Sequence, residues 1–209
     1  MKVETRPVTS EERRRLGRPR SEAASAHKKI MDAVYALLQE RSVRELSMEA
    51  VAKRAGVGKP TLYKWWPTKA ALVFAMFHER LAQEAEAPPT TSVEAFMRQR
   101  VLRLIVEFHD LFGKVVAELI AEGQSDTKVL QELYEQHIGV RRAHAVVAIE
   151  KAKRSGEFSP DTDAELLVDQ IFGPIYYRML LRISPLDPAF GEALIDQVLS
   201  GVRNGRSTA

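Results

Sequence analysis

The sequence predicts an all-α protein with a small three-helix head and a larger helical bundle behind it. Three observations lead there. Alternating apolar and polar residues are nearly absent along the 209 residues, so half-buried strands have no signature. Ala, Leu, Glu, Arg and Lys, all good helix formers, dominate the composition. Apolar residues make up 45% of the chain, enough for a sizeable core, and they recur at helical spacing.

Residues 1–22 read as a flexible basic arm. Arg13, Arg14, Arg15, Arg18 and Arg20 crowd it, and Gly17 and Pro19 oppose a regular helix. A first helix is expected over residues 23–41, where Ile30, Val34, Leu37 and Leu38 give one apolar stripe. A second begins at Ser47, whose hydroxyl can accept a backbone N–H of the first turn. Leu46 before the cap and Val51 beyond it have the spacing of a hydrophobic staple. Gly56 is the expected stop, since glycine enters the left-handed region cheaply. Pro60 suits the start of a third, short helix over residues 60–66. Pro67 ends it, and Thr68 can cap a long fourth helix over residues 69–85.

Two helices, a four-residue turn and a second short helix make a helix-turn-helix. The spacing alone is a weak signal, and the residue types strengthen it. A two-turn helix cannot stand alone, but it suffices where a DNA major groove supplies the opposite surface. Lys59, Thr61 and Lys64 offer donors, and Tyr63 offers a hydroxyl and a ring face. Leu62 and Trp66, four apart, are expected to face the head's own core. Trp65 stays open between core and DNA. The charge distribution agrees with a nucleic-acid partner. Residues 1–72 hold 16 Lys and Arg against 8 Asp and Glu, and the remainder holds 15 against 20. A solvated basic arm is the competing reading of charge alone.

The run SMEAVAKRAGVGKPTLYKWWPTKAALVFAM, Ser47 to Met76, resembles the DNA-binding signature of the tetracycline-repressor (TetR) family of transcriptional regulators. The resemblance extends back to about residue 23. It implies a homodimer that binds double-stranded DNA at an inverted-repeat operator, through a head at 23–68. It implies a ligand-binding and dimerisation body at 69–209, and repression relieved by a small-molecule effector. Thr61 and Tyr63 match the family's recognition-helix contacts, Lys69 its phosphate-binding lysine, and Ser47 its capping position near phosphate. Trp65 departs from the Tyr or His common there, and Lys64 falls at a variable position. Arg18 and Arg20 of the arm are further candidates for DNA contact.

Beyond the head, EAPPTTS ends the fourth helix, and Ser92 can cap a fifth that runs to about His109. Gly113 is the expected break before a sixth over 114–122. A seventh spans 127–154, with Gly139 inside it and Ser155-Gly156 as its stop. The eighth, 163–183, contains LLVDQIFGPIYYRMLLRI, apolar nearly all round and therefore covered on several sides. The ninth, 188–203, carries two stripes: Phe190, Leu194 and Val198, and Ile195, Leu199 and Val202. One stripe can serve the monomer core and the other needs a partner. Gly173, Ile195, Leu199 and Val202 are the expected dimer-interface residues, and FGPIYYRMLL resembles a C-terminal subgroup of the same family. Pro174 strips the Gln170 carbonyl of its helical donor. That carbonyl can then take water or ligand, or the proline can simply kink the helix for packing. Phe108, Phe112, Phe172, Tyr176 and Tyr177 could line a largely apolar effector pocket or be plain core.

No cysteine is present, so thiol catalysis and zinc-thiolate sites are excluded. His137 and His144 lie seven apart, about 10 Å along a helix, too far for one metal ion. Glu118 and Glu122 read as a solvated face. No nucleophile elbow or phosphate-binding glycine loop appears, and the expectation is no catalytic residue, no metal and no cofactor. No apolar run approaches the roughly 18 residues of a membrane span, and the first residues lack the apolar middle of a signal peptide, so a cytoplasmic location is expected. Two alternatives stand beside the ligand-responsive repressor: a DNA-binding dimer governed by a protein partner or by nothing, and a helical enzyme fused to a DNA-binding head.

Overall fold

The computed structural model describes the backbone of residues 10–83 and 92–203, and the side chains of residues 23–80 and 92–203. Among the described residues ten α-helices succeed one another, α1 (Ser10–Glu40), α2 (Met48–Ala55), α3 (Lys59–Trp65), α4 (Lys69–Gln83), α5 (Val93–His109), α6 (Leu111–Gly123), α7 (Thr127–Leu133), α8 (Gly139–Ser155), α9 (Ala164–Leu181) and α10 (Pro188–Ser200). Strand ladders are absent among the described residues, where one isolated bridge joins Phe158 and Arg203.

The chain divides into two compact units. The first takes residues 1–41 and 45–76, the second residues 42–44 and 77–209. The division falls inside α4, between Met76 and Phe77, rather than at its first residue.

In the first unit, α1 starts at Ser10, well before the expected residue 23. Gly17 and Pro19 do not stop it, because the summed propensity of Glu, Arg and Ala over the segment competes with two unfavourable positions. Residues 1–9 lie outside the described residues, as do the side chains of Arg18 and Arg20. The ends of α2 and α3 agree closely with the sequence. Ser47 is extended and its Oγ accepts from the Ala50 N–H at 3.1 Å. Gly56 takes φ 67°, and the Val57 N–H closes back on the Ala52 carbonyl at 3.0 Å. Thr68 Oγ1 accepts from the Ala71 N–H at 3.0 Å and opens α4. Ile30, Val34, Leu38, Leu46, Val51, Leu62 and Trp66 are all buried.

In the second unit, Ser92 caps α5 by accepting from the Ala95 N–H at 3.1 Å. The break before α6 comes at Asp110, not Gly113. Gly113 instead sits in the first turn of α6, where a Cβ would collide with the Phe108 carbonyl oxygen. Its role is close approach at a tight corner. The single long helix expected over 127–154 is α7 and α8, joined by a π-helical turn at Tyr134–Ile138 that ends at Gly139. One extra residue in that turn shifts the register of α8 relative to α7. Glu118 and Glu122 are not a solvated face. Glu118 Oε2 accepts the Val43 N–H at 2.6 Å, and one Glu122 carboxylate oxygen is buried.

The two stripes of α10 divide between core and surface, opposite to expectation. Ile195 and Leu199 are 0% exposed and belong to the monomer core. Arg98 on α5 reaches across to Glu192 and to Asp196 at 2.6 Å, which fixes that face of α10 toward α5. Val202 is half-buried, and its carbonyl accepts the Ser159 N–H at 2.8 Å. Ile195 and Leu199 therefore cannot form a surface contact. The other stripe, Phe190, Leu194 and Val198, remains partly open.

Candidate functional site

The first candidate site is the face of α3. The helix is seven residues long and its anchoring is one-sided: Leu62 is fully buried and Trp66 is nearly so, against His27 at a ring distance of 5.3 Å. That anchoring turns the intervening residues outward. Tyr63 is 50% exposed and Trp65 59%, and Lys64 between them is exposed, with its Nζ 5.8 Å from the Trp65 ring centroid. Large aromatics left open beside a lysine suit sugar, methyl and phosphate surfaces. Trp65, which the sequence left open between core and DNA, is not core. Thr61 and Lys69 are half-buried.

Two other residues named from the sequence are already engaged. Ser47 Oγ is used as a helix cap, so its side chain holds the end of α2 in place. Lys59 Nζ pairs with Glu49 at 2.6 Å, both side chains more than half exposed, an ion pair weak enough for phosphate to displace. A cavity of about 710 Å³ lies between α1 and α3, lined by His27, Ile30, Pro60, Thr61, Trp65 and Trp66. Nothing in the sequence pattern pointed to it, because it depends on the crossing of α1 over α3.

The second candidate site is an aromatic cluster in the other unit. Phe108 and Phe112 are buried with ring centroids 5.9 Å apart. Tyr176 meets Phe108 edge-on at 5.2 Å, and Phe77 and His137 meet Phe112 at 4.9 and 4.8 Å. These are favoured aromatic geometries. Burial pushes the Tyr176 phenol up to about 12. Burial, helped by the nearby Arg141 and His78 charges, pushes the His137 imidazole down to about 3 and keeps it neutral.

Beside the rings, Glu107 is buried and accepts from Arg103 Nε at 2.8 Å and Arg141 Nη1 at 2.7 Å. Sequence reasoning missed Glu107 and Arg141 and weighed His137 only as a metal ligand. The four-residue spacing of Arg103 and Glu107 was the available signal, but it is also the spacing of any exposed helix pair. An adjoining open cavity of about 600 Å³ shares Phe108 and is further lined by Lys114, Met179, Arg178 and Arg182. Arg182 has φ 53°, the one positive φ outside glycine among the described residues.

Of the five aromatic residues named from the sequence, Phe108, Phe112 and Tyr176 come together. Phe172 is half-buried, without a ring contact to the cluster. Tyr177 is 54% exposed and is corrected out of the pocket: one residue along a helix turns the side chain by about 100°. It shares the outward face of α9 with Leu180, Leu181 and the exposed Gly173. Gln170 lies on the exposed side too, so water can satisfy the carbonyl that Pro174 frees. Among the described residues no group of three His, Asp or Glu could hold a metal ion, and no helix is long and apolar enough to cross a membrane.

Comparison with known proteins agrees with both units. Residues 30–76 match the family model for bacterial regulatory proteins of the tetR family, and residues 87–198 match the tetracyclin repressor-like C-terminal domain. The uncharacterised helix-turn-helix transcriptional regulator YdeS of Bacillus subtilis is 32% identical over 192 residues, covering 92% of this chain and 96% of its own. The regulator UidR of Escherichia coli K12 is 28% identical over 163 residues, covering 73% and 81%. Among solved structures, the TetR family regulator SCO0332 has a TM-score of 0.70 at 32% identity, covering 85% of this chain and 98% of its own. FadR of Bacillus subtilis, solved with stearoyl-CoA, has the same fold, with a TM-score of 0.66 at 20% identity and coverage of 84% and 99%. With a helix-turn-helix that presents Tyr63, Lys64 and Trp65 and a helical body matched over most of its length, the chain belongs to the TetR family of DNA-binding transcriptional regulators.

Proposed function

We propose that the protein is a ligand-responsive repressor, a cytoplasmic homodimer that holds an inverted-repeat operator and releases it when a small molecule enters the helical body. The carrying observation is α3. It leaves Tyr63, Lys64 and Trp65 open on a helix too short to be stable for its own sake. Thr61, Tyr63, Lys64 and Trp65 meet base edges and sugars, while Lys69 and the capped start of α2 at Ser47 meet phosphate. Lys59 joins them by exchanging Glu49 for the DNA backbone.

The dimer surface is the outward face of α9 and α10: Tyr177, Leu180 and Leu181 with Phe190, Leu194 and Val198. Tyr177, Leu180 and Leu181 are exposed and Phe190, Leu194 and Val198 half-buried, and exposed apolar patches mark interaction sites. A two-fold axis through that face relates two α3 helices, and a two-fold pair of readers calls for an inverted repeat. The effector lies against Phe108, Phe112 and Tyr176. A FadR structure of the same fold holds stearoyl-CoA, which supports small-molecule control of such a body. Helix α4 belongs to both units, with Met76 in the first and Phe77 in the second, and Phe77 touches Phe112. A ligand that moves Phe112 therefore acts on the same helix that carries Lys69.

Gel-shift measurement on inverted repeats flanking the protein's own gene tests this reading. Wild type binds one repeat far more tightly than random DNA, and the Tyr63→Ala, Lys69→Ala double variant loses that preference. Equal operator affinity for the two proteins would remove α3 as the reader.

A further inference from the structure

Where α1 crosses α3, a cavity stays open because the facing stripe of α1 changes size along its length. Ile30, Val34, Leu37 and Leu38 are large and buried, and they fill the core of the first unit. Earlier on the same face the stripe narrows to Ala26 and Ala23, four and seven residues before Ile30. Across from them α3 presents Thr61, Lys64 and Trp65, which share one helix face, with Trp66 stacked on His27 beside them. Alanine is too short to reach these side chains, and about 710 Å³ is left between the helices. The cavity lies wholly within the first unit.

The lining has a definite chemistry. Ile30 and the alanines are apolar, and two indoles and an imidazole are aromatic. Lys64 is exposed, its Nζ stands 5.8 Å from the Trp65 ring centroid, and it makes no ion pair among the described residues. Thr61 adds a hydroxyl, and no Asp or Glu is among the lining residues. The volume falls within the range of small-molecule sites, about 300–1,000 Å³, which are mostly apolar with a few placed polar groups. Such a lining suits a flat apolar body that carries one negative charge. The rings take the body, and the ammonium takes a carboxylate through a charge-assisted hydrogen bond. A cationic molecule would meet Lys64 with no carboxylate nearby to offset the repulsion.

We propose that this cavity binds an aromatic carboxylate, and that its occupant and DNA exclude one another. The site is separate from the effector position in the helical body, and its effect on DNA rests on the reading of α3 as the operator reader. Thr61, Lys64 and Trp65 belong to both surfaces. A carboxylate on Lys64 takes the donor that a base edge would use, and a ring against Trp65 covers the face left for DNA. The two are direct competitors, with no change of shape in the body required. Apparent operator affinity falls linearly as free ligand rises above its Kd.

Trp65 and Trp66 are the only tryptophans in the sequence, so the two indole N–H signals in a nitrogen–proton NMR spectrum of the full-length protein report on this cavity directly. The probe is naphthalene-2-carboxylate, with naphthalene-2-methanol as its uncharged counterpart. The carboxylate shifts both indole signals saturably, and the alcohol binds about tenfold more weakly, the loss expected for one charge-assisted contact. Lys64→Gln lowers carboxylate affinity by a similar factor and leaves the alcohol unchanged. Ala26→Leu fills the cavity and abolishes the shifts, and Ala24→Leu, at an exposed lining position, does the same if Ala26→Leu fails to fold. Excess operator duplex reverses the shifts, and the carboxylate weakens operator binding by wild type but not by Ala24→Leu. Absence of saturable shifts, equal affinity for the alcohol, or undiminished carboxylate binding by a folded Ala24→Leu protein would overturn the site. Shifts reproduced by acetate at equal concentration would mean a counterion on Lys64 only and would also overturn it. Carboxylate shifts that persist in full on the operator complex would overturn the exclusion. A wild type that binds no operator would remove α3 as the reader and the exclusion with it, and the indole shifts would still decide the site.

Discussion

At the scale of single residues, the proposed DNA-contacting surface is decided by which of two adjacent tryptophans is anchored. Trp66 packs on His27, so Trp65 and Tyr63 are turned outward. Tyr63→Ala is predicted to weaken operator binding more than binding to random DNA, since a base-edge contact is lost, and competition gel shifts check this. Lys69→Ala is predicted to weaken all sequences alike and to flatten the dependence of log K on log salt by about 0.9, one phosphate contact, measured by salt titration.

His137 gives a residue-scale prediction in the other unit. Its folded-state pKa, about 3, lies below its ordinary 6.5, so between these values the unfolded chain binds a proton that the folded chain refuses. Stability therefore falls as pH drops through 6.5 toward 3, and the contribution of neutral His137 is fully present only above 6.5. Urea melts across this range should show a shallower pH slope for His137→Gln than for wild type. Identical slopes would mean that the ring is not shielded as described.

At the scale of elements, helix ends were legible and helix faces were less so. Ser47, Gly56, Thr68, Ser92 and Gly156 act through bonds to residues within a few positions, and each does what its residue type suggests. Gly56→Ala places a Cβ at φ 67° and is predicted to cost about 1 kcal/mol in a denaturant melt. Gly113 was read by the same local rule and was not a break, because its reason is the Phe108 carbonyl, a contact at a corner that only the fold creates. The stripes of α10 show the same limit. Both are apolar, and only the position of α5, held by Arg98, decides that Ile195 and Leu199 go inside. The pair Leu194→Glu and Ile195→Glu separates the two faces. Leu194→Glu is predicted to give folded monomers by light scattering, and Ile195→Glu to lose folding. A stable dimer for Leu194→Glu would move the interface elsewhere.

At the scale of the whole molecule, the candidate DNA reader was legible because a short helix must carry its contacts in its own residue types. The proposed effector site was only half legible: Phe108, Phe112 and Tyr176 announce themselves as aromatics. Glu107 and Arg141 look like ordinary surface charges until α5 and α8 bring them together. The central claim is that binding in the helical body and binding at α3 are coupled. A ligand shifts the equilibrium only by its differential affinity for the two states, and the coupling must be reciprocal. The most direct measurement is a calorimetric titration of one compound that releases the protein from DNA, into free protein and into the operator complex. The account predicts weaker binding to the complex, by the same factor by which the compound weakens DNA binding. Equal affinities in the two titrations would contradict it.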